Sequence, residues 1–271
     1  MKEDLYEIAL HCHELRKQGK FITFLTGAGI SAESGIPTYR GHDGIWIKGT
    51  QYHQPKEIAT FQFFQKDPLG FWDYTLQRRK LFEDKLPNAG HYAVVEIERI
   101  LGEHFRLITQ NIDELHRKAG SSEAYLSEIH GKMSTVRCSA ECSDDIYPLP
   151  AVEDAEKEEK KLTCPRCAHY TRPNILLFDE YYNEHLYKLD TSLAIARNTG
   201  MLITVGTTGE TYLPTLLSEV AMQENAILVD INTEDNYFAE LAQDAKRGYV
   251  LRGKSGDILT QLKQALVSYP S

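Results

Sequence analysis

A short, β-rich apolar run, Phe21-Ile22-Thr23-Phe24-Leu25-Thr26, ends directly on Gly27-Ala28-Gly29-Ile30-Ser31-Ala32, and this junction constrains the fold more than any other part of the chain. A nearly continuous apolar run of that length is how a strand buried on both faces reads. The six residues after it fit the Gly-x-Gly-x-x-Gly/Ala pattern of a phosphate-binding turn. There the first glycine permits a tight bend, the second lets backbone approach a pyrophosphate, and the small third residue allows close helix–strand packing. Backbone N–H groups at the following helix end would then face the phosphates. On the hexapeptide alone, a plain strand–turn–helix is an equally good reading.

Runs of the same kind recur at Phe105–Thr109, Met201–Val205 and Ala226–Ile231, with a shorter one at Ile175–Phe178. Between them lie helical patterns at 89–101, 113–119, 186–198 and 213–223. An opening helix over 3–18 carries Leu5, Ile8, Ala9, Cys12 and Leu15 on one stripe, and a closing helix over 256–267 carries Ile258, Leu259, Leu262, Leu266 and Val267. Strands alternating with helices predict an α/β fold: a doubly wound, Rossmann-like parallel sheet. Two stretches interrupt the alternation. Residues 43–86 read as an aromatic helical insert, and residues 134–171 hold four of the five cysteines. The expected organisation is therefore a discontinuous nucleotide-binding domain (1–42, 87–133 and 172–271) with a smaller domain made of the insert and the cysteine module. The charge run Glu153–Lys161 reads as a solvated face.

Cys138, Cys142, Cys164 and Cys167 offer four thiolates, which matches a closed, tetrahedral, structural zinc site. Cys164-Pro165-Arg166-Cys167 has the usual knuckle spacing, and the first pair is one residue wider. An iron–sulfur site and redox cysteines are the rival readings. Cys12, on its apolar stripe, reads as a small core residue. The formal charge is −9, from 39 acidic and 30 basic residues, which argues against a general nucleic-acid binder. No apolar run approaches the roughly 20 residues needed to cross a bilayer, and no apolar leader opens the sequence. The expectation is a cytoplasmic protein, free of membrane and nucleic acid, acting as a monomer or weak oligomer.

An ordinary dinucleotide fold would carry a second strand ending in an acidic residue about 20 residues beyond the glycines. Instead the chain continues Glu33-Ser34-Gly35-Ile36-Pro37-Thr38-Tyr39-Arg40-Gly41, a polar loop suited to covering a bound cofactor. Residues 26–40 resemble the sirtuin signature. Thr109-Gln110-Asn111-Ile112-Asp113-Glu114-Leu115-His116 resembles that family's second motif, and His130-Gly131-Lys132-Met133 its third. Gly206-Thr207-Thr208, Asn232-Thr233-Glu234 and Gly253-Lys254-Ser255-Gly256 are similar to its adenosine-side motifs. The likeness runs in order from about residue 20 to 265.

The resemblance implies NAD, consumed as a co-substrate, and an acylated protein as partner. It places Gly27, Ala28, Gly29, Ser31, Tyr39, Arg40, Gln110, Asn111, Ile112, Asp113, Gly206, Thr207, Thr208, Asn232, Thr233, Glu234 and Ser255 against the cofactor. It makes His130 the general base, with Asn111 and Asp113 beside the reacting ribose. In the family mechanism the acyl oxygen of an acyl-lysine attacks the ribose C1′ as nicotinamide leaves. The histidine then helps a ribose hydroxyl attack the imidate, giving free lysine and an O-acyl-ADP-ribose. An imidazole titrating near neutrality suits that task, amides suit ribose and carboxamide, and a carboxylate favours a forming cation.

Some positions depart from the family. Ala32 with Tyr74 resembles the subgroup that removes negatively charged acyl groups, which carries Tyr-x-x-Arg. Here Gln77 stands at i+3 and Arg78 at i+4, both on the tyrosine's helix face, so Arg78 is the candidate substitute. A surface charge beside a core-edge tyrosine is the plain alternative. Phe178-Asp179-Glu180 stands where the family has Phe-Gly-Glu, and aspartate takes positive φ less readily than glycine. Tyr39 replaces a phenylalanine, and Thr208 keeps the hydroxyl of the usual serine. Three functions compete: NAD-dependent protein-lysine deacylation, transfer of ADP-ribose to a protein acceptor, and a non-catalytic NAD- and zinc-binding module.

Overall fold

The computed structural model describes residues 1–38 and 55–268. Among them, nine strands follow in chain order: β1 (Phe21–Thr26), β2 (Phe105–Thr109), β3 (Leu126–Glu128), β4 (Gly131–Cys138), β5 (Ile146–Pro148), β6 (Thr171–Ile175), β7 (Thr199–Val205), β8 (Ile227–Asn232) and β9 (Gly248–Arg252). Six form one parallel sheet in the order β3-β2-β1-β7-β8-β9. The chain builds outward from β1 through β2 to β3, then returns to β7 and builds the other way. The strand order therefore reverses between β1 and β7. Loops leaving their carboxyl ends diverge there and open a crevice, the usual ligand site of such sheets.

Side chains alternate across the pleat and split the core in two. Ile22, Phe24, Ile203 and Val229 meet helices Lys2–Lys17, Ala89–Leu101 and Ser255–Ser268 on one face. Leu25, Ile108, Leu202 and Leu228 meet Leu189–Arg197, Tyr212–Gln223 and Tyr237–Asp244 on the other. Helices cover both faces, as the alternating pattern predicts. Leu5, Ile8, Ala9 and Cys12 are buried as their stripe requires. Val267 is not: it lies exposed, just past the buried edge of the last helix.

The run Ile175–Phe178 is a second departure. Its strand ends at Ile175 and belongs to a separate antiparallel sheet, ordered β5-β4-β6. Leu177 is buried and Phe178 is exposed, so composition alone imitated a buried strand. That small sheet packs on the insert helices Phe61–Lys66 and Pro68–Lys80. Phe64, Phe71, Trp72 and Leu76 share one core with Val136, Leu149, Ala155, Leu162 and Leu177. Trp72 Nε1 also donates to the Thr171 carbonyl at 2.9 Å. Apart from Ala155, which turns into this core, the described side chains of the charge run are exposed, the solvated face the sequence predicts. β4 and β6 span the boundaries drawn from sequence at 133/134 and 171/172.

Backbone from the two sides of the switch point nearly touches. Gly29 N–H donates to the Gly206 carbonyl at 2.8 Å. A Cβ on Gly206 would lie 2.6 Å from Gly29 Cα, and Gly206 has φ of +58°. Gly120 is also left-handed, at φ +102° and ψ +19°, with nothing within 4 Å of its would-be Cβ among the described residues. Gly120→Ala should therefore cost only the left-handed strain, about 1 kcal/mol. Gly206→Ala adds a backbone collision and should cost about 3 kcal/mol. Urea unfolding of both variants checks this, and equal losses would contradict the crossing.

Candidate active site

The glycines after β1 serve this crossing first. A Cβ at Gly27 would lie 2.7 Å from Thr207 Cβ, although Gly27 itself keeps φ of −122°, open to any residue. Close approach, rather than a tight turn, is what demands glycine here. The following segment, Ala28–Ser34, is a 3₁₀ helix closed by Gly35 at φ +77°. Its Gly29 and Ile30 N–H groups are already bonded, to the Gly206 and Gly27 carbonyls. The phosphate-facing helix end expected from sequence is thus narrower than a full helix N-terminus.

Ser31 is carried inward by that turn and is fully buried. Its hydroxyl donates to Asp113 Oδ2 at 2.6 Å, and Asn111 Nδ2 donates to the Gly27 carbonyl at 3.0 Å and to Ser31 Oγ at 3.2 Å. Leu115 N–H donates to the other Asp113 oxygen at 2.9 Å. Burial raises the Asp113 pKa, and these two hydrogen bonds oppose the rise. A cavity beside the cluster is lined by Ala28, Ile36, Pro37, Phe82, Asn111, Ile112 and Asp113. It joins apolar walls to one amide and one carboxylate. Ile36 and Pro37 belong to the loop that the sequence sets over a cofactor, whereas Phe82 escaped the sequence reading because nothing local marks it.

Gln110 begins the same segment. Its side chain donates to Thr207 Oγ1 at 2.8 Å and accepts from Thr211 Oγ1 at 2.9 Å. Its backbone carbonyl lies 2.9 Å from His130 Nδ1. A carbonyl only accepts, so Nδ1 carries the proton and Nε2 keeps the lone pair. Burial lowers the His130 pKa to about 4, against the Gln110 hydrogen bond, which raises it. The imidazole is therefore neutral at physiological pH, the form a base needs.

On the far side of the switch point, Asn232 at the end of β8 donates to the Thr207 carbonyl at 3.0 Å. Thr208, Thr233 and Glu234 are exposed around it. Ser255 Oγ and Gly256 N–H donate to Glu33 at 3.2 and 2.8 Å, so Glu33 caps the last helix. Tyr74 and Arg78 pair with each other on helix Pro68–Lys80, hydroxyl to guanidinium at 2.9 Å, while Gln77 is exposed. Tyr39 and Arg40 lie outside the described residues. Asp179 does not take positive φ. Its carboxylate accepts instead from Phe61 N–H at 2.6 Å and Gln62 N–H at 2.9 Å, tying the substrate-side loop to the insert.

Behind Ser31 sits a layer the sequence reading missed. His91 Nδ1 accepts from Asn88 N–H in a capping box, which leaves Nε2–H facing Ser31 Oγ at 3.5 Å. His116 Nε2 lies 3.0 Å from Thr26 Oγ1, and the two rings meet edge-on at 4.9 Å. The spacing Asn88-x-x-His91 before an amphipathic helix was the available signal.

The four Sγ atoms of Cys138, Cys142, Cys164 and Cys167 lie within 4.8 Å of one another, with closest pairs at 3.5 and 3.6 Å. Thiolates around one tetrahedral zinc sit about 3.8 Å apart. The four cysteines are arranged to bind one zinc ion, and an all-sulfur set of four leaves no position for catalysis.

Comparison with known proteins fits this geometry. The model of the Sir2 family matches residues 27–212. The chain belongs to the Sir2 family. An NAD-dependent protein deacylase of Leptospira interrogans is 37% identical over 257 residues, covering 92% of this chain and 94% of the relative. One from Pyrococcus furiosus is 35% identical over 253 residues, covering 93% and 95%. A solved Sir2 homologue–NAD complex is 30% identical with a TM-score of 0.76, covering 92% of this chain and 90% of the other. Each of these relatives covers more than nine-tenths of this chain, and the family match spans all four cysteines.

Two predictions follow from the buried layer and the thiolates. Burial lowers His91 to about 4 and His116 well below its ordinary 6.5. The unfolded chain therefore takes up protons first as pH falls. Stability is complete above about pH 6.5 and drops toward pH 4, by up to about 1.4 kcal/mol per pH unit for each histidine. Urea midpoints at pH 7 and 5 measure this, and His91→Asn should flatten the dependence; an unchanged slope would contradict it. Chelation should release one zinc per chain and expose the small sheet to protease while the parallel sheet persists. A metal-free protein with an equally resistant small sheet would contradict the site.

Proposed function

We propose that this protein is an NAD-dependent protein-lysine deacylase that releases nicotinamide and O-acyl-ADP-ribose. One observation carries the reading: the segment Gln110–Asp113 fixes both halves of the chemistry. Its first carbonyl sets the His130 tautomer, and its last side chain is a buried carboxylate locked to Ser31.

The chain's residues fit the dinucleotide. The cavity of Ala28, Ile36, Pro37, Phe82 and Ile112 suits an aromatic ring, with Asn111 and Asp113 for its amide and the adjoining ribose. Gly27, Gly29, Gly206, Thr207 and Thr208 border the crevice toward the adenosine side, where Asn232, Thr233, Glu234 and Ser255 stand. When bound, NAD supplies a ribose C1′ with nicotinamide as leaving group. Asp113 is already desolvated, so its charge acts strongly on positive charge forming beside it. His130 offers Nε2 as the ring nitrogen that accepts a ribose hydroxyl proton. Tyr39 and Arg40 are assigned to the cofactor from the motif. Tyr74, Gln77 and Arg78 are assigned to the acyl group, with Arg78 the cation for an acidic acyl chain. The partner is an acylated protein, and the discontinuous two-domain division is part of the same reading.

ADP-ribosyl transfer to protein is the second reading, and Asp179 favours it. Its carboxylate occupies the Phe61 and Gln62 N–H groups beside the substrate loop. Incubation with labelled NAD and acyl-peptides of varied charge separates the two. Acyl-dependent nicotinamide release should appear, and His130→Ala should lower it about 100-fold or more. Label left on protein with the acyl group retained would overturn deacylation in favour of transfer.

A further inference from the structure

His130 Nε2, the one ring nitrogen able to accept a proton, already has a partner. The Tyr182 hydroxyl lies 2.8 Å from it, with the rings 5.8 Å apart. Because Gln110 holds the proton on Nδ1, Nε2 can only accept, and the phenol must donate. The Thr211 side chain and the Leu213 backbone also reach the phenol, and both oppose the rise that burial imposes on its pKa. Thr211, two residues earlier, holds the Gln110 side chain. One short segment at the head of helix Tyr212–Gln223 thus braces both partners of the imidazole. Tyr182 is turned inward although its neighbour Tyr181 is 90% exposed, and the loop bearing both is anchored by the two-pronged Arg172–Glu180 pair at 2.6 Å.

We propose that Tyr182 is a positioning residue that occupies the base nitrogen of His130 in the resting protein and yields it to the incoming substrate hydroxyl. This rests on the reading of His130 as the base. A nitrogen whose lone pair is engaged cannot take another proton. On substrate arrival the Tyr182 O–H···Nε2 bond breaks and a substrate O–H···Nε2 bond replaces it. The hydroxyl proton then passes to Nε2 with its electron pair left on oxygen, while the phenol keeps its own proton and its Leu213 contact. Until that exchange, the phenol adds to burial in holding the imidazole neutral, because a donor to Nε2 favours the unprotonated ring. Among the described residues, the groups facing His130 are the Gln110 carbonyl and the phenol, with Thr211 and Leu213 behind it. Only the phenol titrates, and burial holds its pKa above the ordinary tyrosine value.

The test is a 15N-histidine NMR titration of the zinc-loaded full chain without NAD, with the His130 signal assigned by its loss in His130→Asn. The wild type should show the Nδ1–H tautomer and a midpoint well below 6.5. In Tyr182→Phe the midpoint should rise by about one pH unit with the tautomer kept by Gln110. Tyr182→Leu frees Nε2 equally and should give the same rise if the Phe variant folds poorly. In turnover, the acid limb of kcat/KM should move up with the midpoint and KM should fall, since no phenol has to be displaced. A midpoint that does not move would overturn the proposal. So would a stationary acid limb with kcat reduced at every pH, which would make the phenol a proton carrier. The NMR reading stands without any acyl-peptide, so failure of deacylation and failure of the Tyr182 contact are told apart.

Discussion

The hydrogen bond from Gly29 N–H to the Gly206 carbonyl, made where β1 and β7 send their loops in opposite directions, is the contact on which the rest of the site depends. It requires two backbones to cross at a distance no side chain permits. Three glycines, at 27, 29 and 206, supply that freedom. Once the crossing is made, the short 3₁₀ turn can swing Ser31 beneath the crevice and Thr207 can reach Gln110. The nucleotide loop is thus held by a second loop almost 180 residues away in sequence, and the sheet order alone brings them together.

Burying the polar layer under this crossing costs stability unless each group is paired. Pairing is nearly complete: Asp113 by Ser31 and Leu115, Asn111 by Gly27 and Ser31, Thr26 by Thr109 and His116. The exception is His116 Nδ1, buried without a partner among the described residues. The same desolvation that makes the layer expensive strengthens the field of Asp113 and keeps His91, His116 and His130 neutral. Stability and chemistry are therefore linked through one set of side chains. The zinc module stands apart from this layer and acts on it indirectly: Met133 on β4 packs with Leu115, Phe82 and Ile36, and Ser134 donates to Glu114.

The parallel sheet was legible because β1, β2, β7 and β8 are buried on both faces and read as apolar runs. β3 and β9 were not, since β3 is three residues long and β9 is an edge strand with one fully buried residue. Ile175–Phe178 misled for the opposite reason, being apolar although only its first residue lies in a strand, and that in the small antiparallel sheet. The residues of the site that stand in long motifs were readable: Gly27, Ser31, Asn111, Asp113, His130 and the four cysteines. Phe82, Tyr182 and Asp179's clamp were not, because their roles come from contacts between segments far apart in the chain. The glycines were readable as a motif but not in their purpose, which is the approach of backbone to backbone.

Calorimetric titration with ADP-ribose tests most directly whether the β1/β7 switch point is the dinucleotide site. The wild type should bind one equivalent saturably. Asn111→Ala, which removes a buried amide between Gly27 and Ser31, should weaken binding by about tenfold or more. Gln77→Ala, on the exposed face of the insert helix, should leave it as it was. Equal affinity in the wild type and Asn111→Ala, or no saturable binding at all, would contradict the account.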